Sequence, residues 1–388
     1  MTYSSEEIKA QFLLKKDITY LNFGAFGACP RPVFEVYQNF QRELESEPTL
    51  FINELGPEYL KKSRIALGKY LNCSADDVVY VTSPSYAVNI IAKSLQIKAG
   101  DEVLTTNLEY GPCDKTWKYY CEQKGATYQR VQVRFPLESK EDFIEQFEKG
   151  ITDKTKLIFI SHITSSTGLR LPVEEICAIA NARGIFIYVD GAHAPGQLPI
   201  DLSTLGADIY TGACHKWMLT PKGSSFLYVR NSLQHLFDPL IISWGFKSPK
   251  PSHSLFLDNH QFQGTRDYSS FLTIPAAIDF MEHFNWKEVS AECRRLTQIN
   301  AQRFCDLFGT KAISSINDDF IGQLFCIPIP ASIAATLHDD LYQNYQVQIP
   351  ILNHEGNNYL RYSIQGFNNQ QDLDKLYSAL EGLKLSKI

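Results

Sequence analysis

Lys216 stands in the run YTGACHKWMLTPKGSSF, and Asp190 closes the apolar run GIFIYVDGAH a little earlier in the chain. A lysine amine can hold an aldehyde as a Schiff base, while a buried carboxylate keeps a pyridine nitrogen protonated so that the ring accepts electrons. The two together suit pyridoxal phosphate chemistry. Each alone has an ordinary reading, since most lysines lie at the surface and an aspartate at a strand end commonly caps a turn. His193, in the same DGAH turn, is a candidate partner for the cofactor's phenolic oxygen or a satisfied loop residue.

The elements that must position these groups recur as a short apolar run, a turn and an amphipathic stretch. DVVYVT (77–82) leads into SPSYAVNIIAKSL, EVLTT (102–106) into KTWKYYCEQKG, and KLIFISHI (156–163) into LPVEEICAIANARG; IFIYV, ADIYTG and SSFLYV follow. Strands alternating with helices predict an α/β fold whose mostly parallel sheet is covered on both faces. Pro172 fits a first helical turn, Val173, Ile176, Cys177 and Ala180 fall on one face, and Gly184 ends that helix. Ligands of open parallel sheets bind beyond the carboxyl ends of strands, where Ser83, Tyr110, Ser165, Asp190 and Lys216 all fall.

The rhythm breaks between 231 and 262, where Pro249 and Pro251 are close together. Beyond it FLTIPAAIDFMEHF and ECRRLTQINAQRFCDLF read as helices, GQLFCIPIP and YLRYSIQ as strands, and the end as a last helix. The expected organisation is an N-terminal segment (1–20) against the smaller domain, a large cofactor-binding domain (21–257) and a small α+β C-terminal domain (258–388).

Composition narrows the classes. The 388 residues are 44% hydrophobic and 21% charged, as in ordinary globular proteins. A net charge of -6 gives no basic surface for nucleic acid or an anionic membrane. Nine cysteines without a CxxC pair suggest neither a disulfide framework nor a zinc site. The first residues, MTYSSEEIKAQFLLKK, lack the order of a signal peptide, so a cytoplasmic protein is expected.

The chain resembles fold-type I pyridoxal phosphate enzymes, and within them the class V aminotransferase family. The resemblance runs from YLNFGAFGACPRPV (20–33) through the aspartate and lysine motifs to FQGTRDYSS (262–270) and LRYSIQGFNN (360–369). The opening, the CHKWM motif and GTRD are most similar to the isopenicillin N epimerase branch. The resemblance implies a three-layer large domain with pyridoxal 5'-phosphate bound through Lys216, whose amine then serves as the base at the substrate α-carbon. It implies Asp190 on the pyridine nitrogen, His193 near the phenolic oxygen or ring face, and Ser165 where relatives often carry an asparagine.

For the phosphate it implies the helix start TSPSYAVN with Ser85 and Tyr86, and also His215. Gly264 and Thr265 would come from a neighbouring subunit, so the resemblance implies a homodimer with shared active sites. Tyr110 would stack on the cofactor face, and Asn22 and Arg361 would hold the amino-acid substrate, Arg361 by its carboxylate. Ala213 departs from the pattern, as relatives place a polar donor there. Phe23 and Ala25 replace a histidine and a serine, and both are expected on the substrate side.

Epimerisation or racemisation and transamination are the leading readings. A cysteine desulfurase needs a nucleophilic cysteine on a mobile loop before Arg361, and VQIPILNHEGNNY has none. C–S lyase activity stays open as an alternative. A catalytically silent relative would be expected to lack Lys216 or Asp190, and both are present. A nicotinamide enzyme should show GxGxxG after its first strand, where this chain has DVVYVTSPSYAV.

Overall fold

The apolar runs of the sequence become a seven-stranded sheet in this computed structural model, which describes residues 3–385. After a two-residue strand β1 (Thr19–Tyr20), the sheet is built from β2 (Val78–Val81), β3 (Glu102–Thr106), β4 (Thr127–Val131), β5 (Thr155–Ser161), β6 (Phe186–Asp190), β7 (Ile209–Gly212) and β8 (Ser225–Val229). The spatial order is β2-β8-β7-β6-β5-β3-β4. Only β8 runs against its neighbours; the pairs among β7, β6, β5, β3 and β4 are parallel.

Alternation of side chains along each strand feeds two separate cores. Leu157, Phe159, Tyr188 and Ile209 pack with Val88, Ile91 and Trp117 from the helices Pro84–Ser94 and Gly111–Lys124. Ile158, Ile160, Ile187 and Val189 face the other way, onto Val173, Ile176, Cys177 and Ala180 of the helix Val173–Ala182. Strands buried on both faces need apolar residues at every position, which is why these runs read as continuous rather than alternating. The result is a three-layer α/β architecture. Pro172 precedes its helix rather than opening it.

The C-terminal part holds a three-stranded antiparallel sheet of β9 (Leu324–Ile329), β11 (Ile351–His354) and β12 (Asn357–Ser363), in the order β11-β12-β9. The remaining strand, β10 (Val347–Gln348), pairs with β1. Phe12 lies edge-on to Phe367 with centroids 4.9 Å apart, and Tyr3 edge-on to Phe284 at 4.7 Å. The N-terminal segment is therefore held by residues from the far end of the chain.

Two readings of local structure change. FLTIPAAIDFMEHF divides into the helices Ser269–Leu272 and Ile274–His283, because Pro275 has no N–H to continue the first one and suits the start of the second. β4 was not foreseen, since TYQRV is a half-exposed edge strand with little apolar content. No helix among the described residues is long and apolar enough to cross a membrane.

Candidate active site

β5 and β6 end side by side, with Ser161 opposite Asp190, and Asp190 is in turn opposite Thr211 of β7. Parallel register thus brings three carboxyl ends to one place. Ser83 caps the helix Pro84–Ser94, its hydroxyl accepting from the Tyr86 N–H at 3.2 Å. These ends enclose a cavity of about 130 Å³ lined by Ser83, Ser85, Tyr110, Ser165, Asp190, His193, His215 and Lys216. All five strand-end residues expected from the sequence meet there.

Two glycines fix the backbone that carries the lysine. Gly27 has φ of 64°, and a Cβ there would lie 2.8 Å from the Lys216 Cα and collide with the His215 carbonyl. Gly196, with φ of 93°, lies as closely against the Trp217 carbonyl. Only a residue without a side chain permits both the dihedral angle and the approach. Lys216 is thus clamped from the N-terminal segment on one side and from the loop after β6 on the other.

The Lys216 Nζ lies 3.0 Å from His193 Nε2, while the Trp217 indole N–H donates to His193 Nδ1 at 3.3 Å. An indole nitrogen only donates, so Nδ1 must accept and the neutral ring carries its proton on Nε2, facing the amine. That arrangement wants an uncharged lysine. Burial pushes Lys216 down to about 8; the Asp190 carboxylate works against this and Arg361 adds to it. Burial likewise holds His193 well below its usual range, helped by Lys216. A neutral amine able to act as nucleophile or base is therefore accessible near neutral pH.

Asp190 is 3% exposed. Its Oδ1 accepts the Ala192 N–H at 2.9 Å, and its Oδ2 has only the weak thiol donor of Cys113 at 3.7 Å. Burial raises its pKa, against the Ala192 N–H and Lys216. A protonated ring nitrogen would supply the strong donor this carboxylate lacks. At the opposite side Pro84 has no N–H, so Ser85 offers the first outward backbone donor of the helix, where the dipole favours an anion. His215 donates from Nδ1 to the Ser224 carbonyl at 2.9 Å and burial lowers it to about 4. Its Nε2 is then an acceptor, and must gain a proton to serve a phosphate. A donor set of this kind fits pyridoxal phosphate.

Arg361, on β12, is 3% exposed and donates from Nη1 to the Ser165 carbonyl, while its Nε has no partner. A buried guanidinium with unused donors fits a carboxylate. Residues 22–24 run beside it: Gly24 N–H bonds Ser363 Oγ at 3.0 Å, and Asn22 keeps a buried, unpartnered Oδ1. Ala25 and Phe26 reach the cavity wall. Phe23 does not; it is fully buried against Trp217, 5.1 Å between centroids, and Phe367 at 5.9 Å, so its place on the substrate side is corrected to core.

Asn22 and Arg361 do not themselves line this cavity, and three further candidates, Tyr86, Gly264 and Thr265, are also absent from its wall. Tyr86 turns its hydroxyl to Gln263 at 3.0 Å, and the segment with Gly264 and exposed Thr265 lies at that end. Sequence reasoning missed Ser161, which lines the cavity, and Glu109, a buried carboxyl behind it. Glu109 had only its adjacency to Tyr110 as a signal and Ser161 only its place at the end of an apolar run, because burial of one polar residue depends on which strands become neighbours. No cysteine lines the cavity, and Cys326 donates its thiol to the Ser166 carbonyl at 3.2 Å, buried and raised to about 12.

Comparison with known proteins defines the class. The family model for aminotransferase class-V matches residues 19–376. An isopenicillin N epimerase of Amycolatopsis lactamdurans is 30% identical, with 97% of each chain aligned. A putative L-cysteine desulfhydrase of Oryza sativa subsp. japonica is 27% identical, covering 98% of this chain and 86% of that one. Among solved structures, an apo cysteine desulfurase from Thermococcus onnurineus NA1 superposes with a TM-score of 0.86 at 18% identity, over 99% of both chains. A C-DES variant with glycine covalently linked to its PLP cofactor gives 0.82 at 18% identity, over 96% of this chain and 98% of that one. Fold and family are those of a pyridoxal phosphate-dependent enzyme. The chain belongs to the class V aminotransferase family.

Proposed function

We propose that this enzyme exchanges the α-proton of an amino acid, as an epimerase or racemase, with Lys216 as the base. The observation that carries the reading is the buried Lys216 amine, held 3.0 Å from His193 Nε2 in the cavity that Asp190 also lines. When bound, pyridoxal phosphate supplies an aldehyde to join amines and a ring that withdraws electrons from the carbon beside them. Asp190 would hold negative charge against the ring nitrogen, Ser85 and the helix start would hold the phosphate with His215, and Ser165 and Tyr110 would bound the ring. Arg361 and Asn22 orient the substrate carboxylate, so that the α-hydrogen faces Lys216. Lys216 takes that proton on one face, epimerisation requires a proton to return on the opposite face from a second donor, and His193 Nε2 lies 3.0 Å from the amine.

Transamination uses the same groups and differs in the carbon that is reprotonated. C–S elimination is the second reading, favoured by the cysteine desulfhydrase among the relatives. It needs no enzyme thiol, in keeping with the absence of cysteine from the cavity wall; a persulfide-forming desulfurase does need one. Residues 21–257 and 258–388 serve as large and small domains in this reading. We also propose a homodimer in which Gly264 and Thr265 reach the partner's phosphate site, supported by the exposed apolar Ile242, Trp244 and Leu255 on the preceding segment.

Incubation with a panel of L-amino acids in deuterated water, assayed separately for D-isomer, keto acid, sulfide and ammonia, tests the proposal. Deuterated D-isomer is expected; keto acid or sulfide as the main product would replace it with transamination or elimination.

A further inference from the structure

Glu109 follows β3 and is 4% exposed, with no basic side chain ion-paired to it among the described residues. Its Oε1 meets the Thr106 hydroxyl at 2.7 Å and its Oε2 the Ser161 hydroxyl at 2.5 Å. The titratable groups facing it add no positive charge: Asp190 from β6, Cys113 and Asp114 from the helix Gly111–Lys124, and Tyr128 from β4. Tyr128 itself donates to Asp114, and Arg130 lies 3.7 Å from Asp114. Two buried carboxyls that act on each other cannot both be charged without large cost, and Lys216 acts as a cation on Asp190.

The proton on Glu109 has a definite place. Thr106 Oγ1 already accepts the Leu108 N–H at 3.1 Å, which leaves its hydroxyl hydrogen to serve Oε1. Ser161 Oγ accepts from no other donor among the described residues and makes the shorter contact. A carboxyl proton on Oε2 would be donated to Ser161 Oγ, the reverse of the direction in which Ser161 donates to an ionised Glu109. A hydroxyl that accepts there no longer spends its own hydrogen on Glu109, and Ser161 is part of the cavity wall, in register beside Asp190.

We propose that Glu109 is a positioning residue that works as a neutral acid, donating to Ser161 so that the Ser161 hydroxyl donates into the cofactor cavity and Asp190 remains the single anion beneath the ring. The raised position of Glu109, about 8 through burial, agrees with this. The inference rests on the pyridoxal phosphate reading of the same cavity, and it concerns how the wall presents its donors.

The test is isotope-edited infrared difference spectroscopy of the holoenzyme at pH 7, wild type minus Glu109→Gln, with cofactor affinity measured alongside. A protonated-carboxyl stretch that shifts in deuterated water is expected from the wild type; carboxylate bands alone would overturn the proposal. Glu109→Gln, whose amide can still donate to Ser161, should keep cofactor affinity within about twofold, whereas Glu109→Ala and Ser161→Ala should each weaken it about tenfold, the value of one hydrogen bond. Unchanged affinity in Ser161→Ala, or a Gln variant as weak as the Ala one, would also overturn it. Failure of the wild type to bind pyridoxal phosphate would instead defeat the functional reading, while the infrared band at position 109 would still report the carboxyl.

Discussion

At Asp190 a single carboxylate is asked to do two electrostatic tasks. In the proposed reading it would stabilise positive charge on a ring nitrogen, and it favours the ammonium form of the Lys216 amine, from a site where burial already disfavours its charge. Asp190→Asn should therefore slow α-proton exchange about 100- to 1000-fold, read by deuterium incorporation. In the apo form of the same variant the Lys216 amine should titrate below about 8, because the anion that favours the ammonium is gone; an unchanged pH profile of amine labelling would contradict the coupling. Arg361 and Asn22 are comparable cases, where a buried polar atom without a partner among the described residues marks where another molecule is to be met.

At the scale of elements, the site is made by strand ends and by what presses on the loops after them. The turn carrying Lys216 is a short loop between β7 and β8, and loops of that kind move unless held. Gly27 and Gly196 hold it by contact with its carbonyl groups. Gly27→Ala should cost about 1–3 kcal/mol of stability from backbone strain and overlap, and should loosen cofactor attachment by displacing Lys216. Thermal unfolding together with the absorbance of the bound cofactor measures both. Full stability with an intact spectrum would show that the clamp has no such role.

For the whole molecule, the question is how a chain with Trp244 82% exposed completes its phosphate site. Exposed aromatic and aliphatic side chains on one segment are costly in water and mark association surfaces. Mixing a Thr265→Ala chain with a Lys216→Ala chain should produce hybrids with one intact and one doubly impaired site, so cofactor affinity should split into two classes. A monomer by sedimentation, or hybrids with a single affinity, would refute shared sites. The long reach of the N-terminal segment, from β1 paired with β10 to Gly27 on the lysine loop, means the two ends of the chain meet around the substrate side.

Much of this was legible in the sequence, for identifiable reasons. Strand-length apolar runs bounded by turns and alternating with amphipathic stretches read as strands buried on both faces, so the α/β sheet, its strand ends and the residues just past them, Ser83, Tyr110, Ser165, Asp190 and Lys216, follow from local pattern, and the Asp–Lys pair suggests its chemistry in residue types. Packing decided the rest. Phe23 became core because Trp217 and Phe367 come to it from distant segments, Tyr86 turned away towards Gln263, and Glu109 gained its meaning only when β5 brought Ser161 beside it. Side-chain type and spacing are properties of a few neighbouring residues; burial, hydrogen-bond direction and charge state are set by groups that only the tertiary fold makes neighbours.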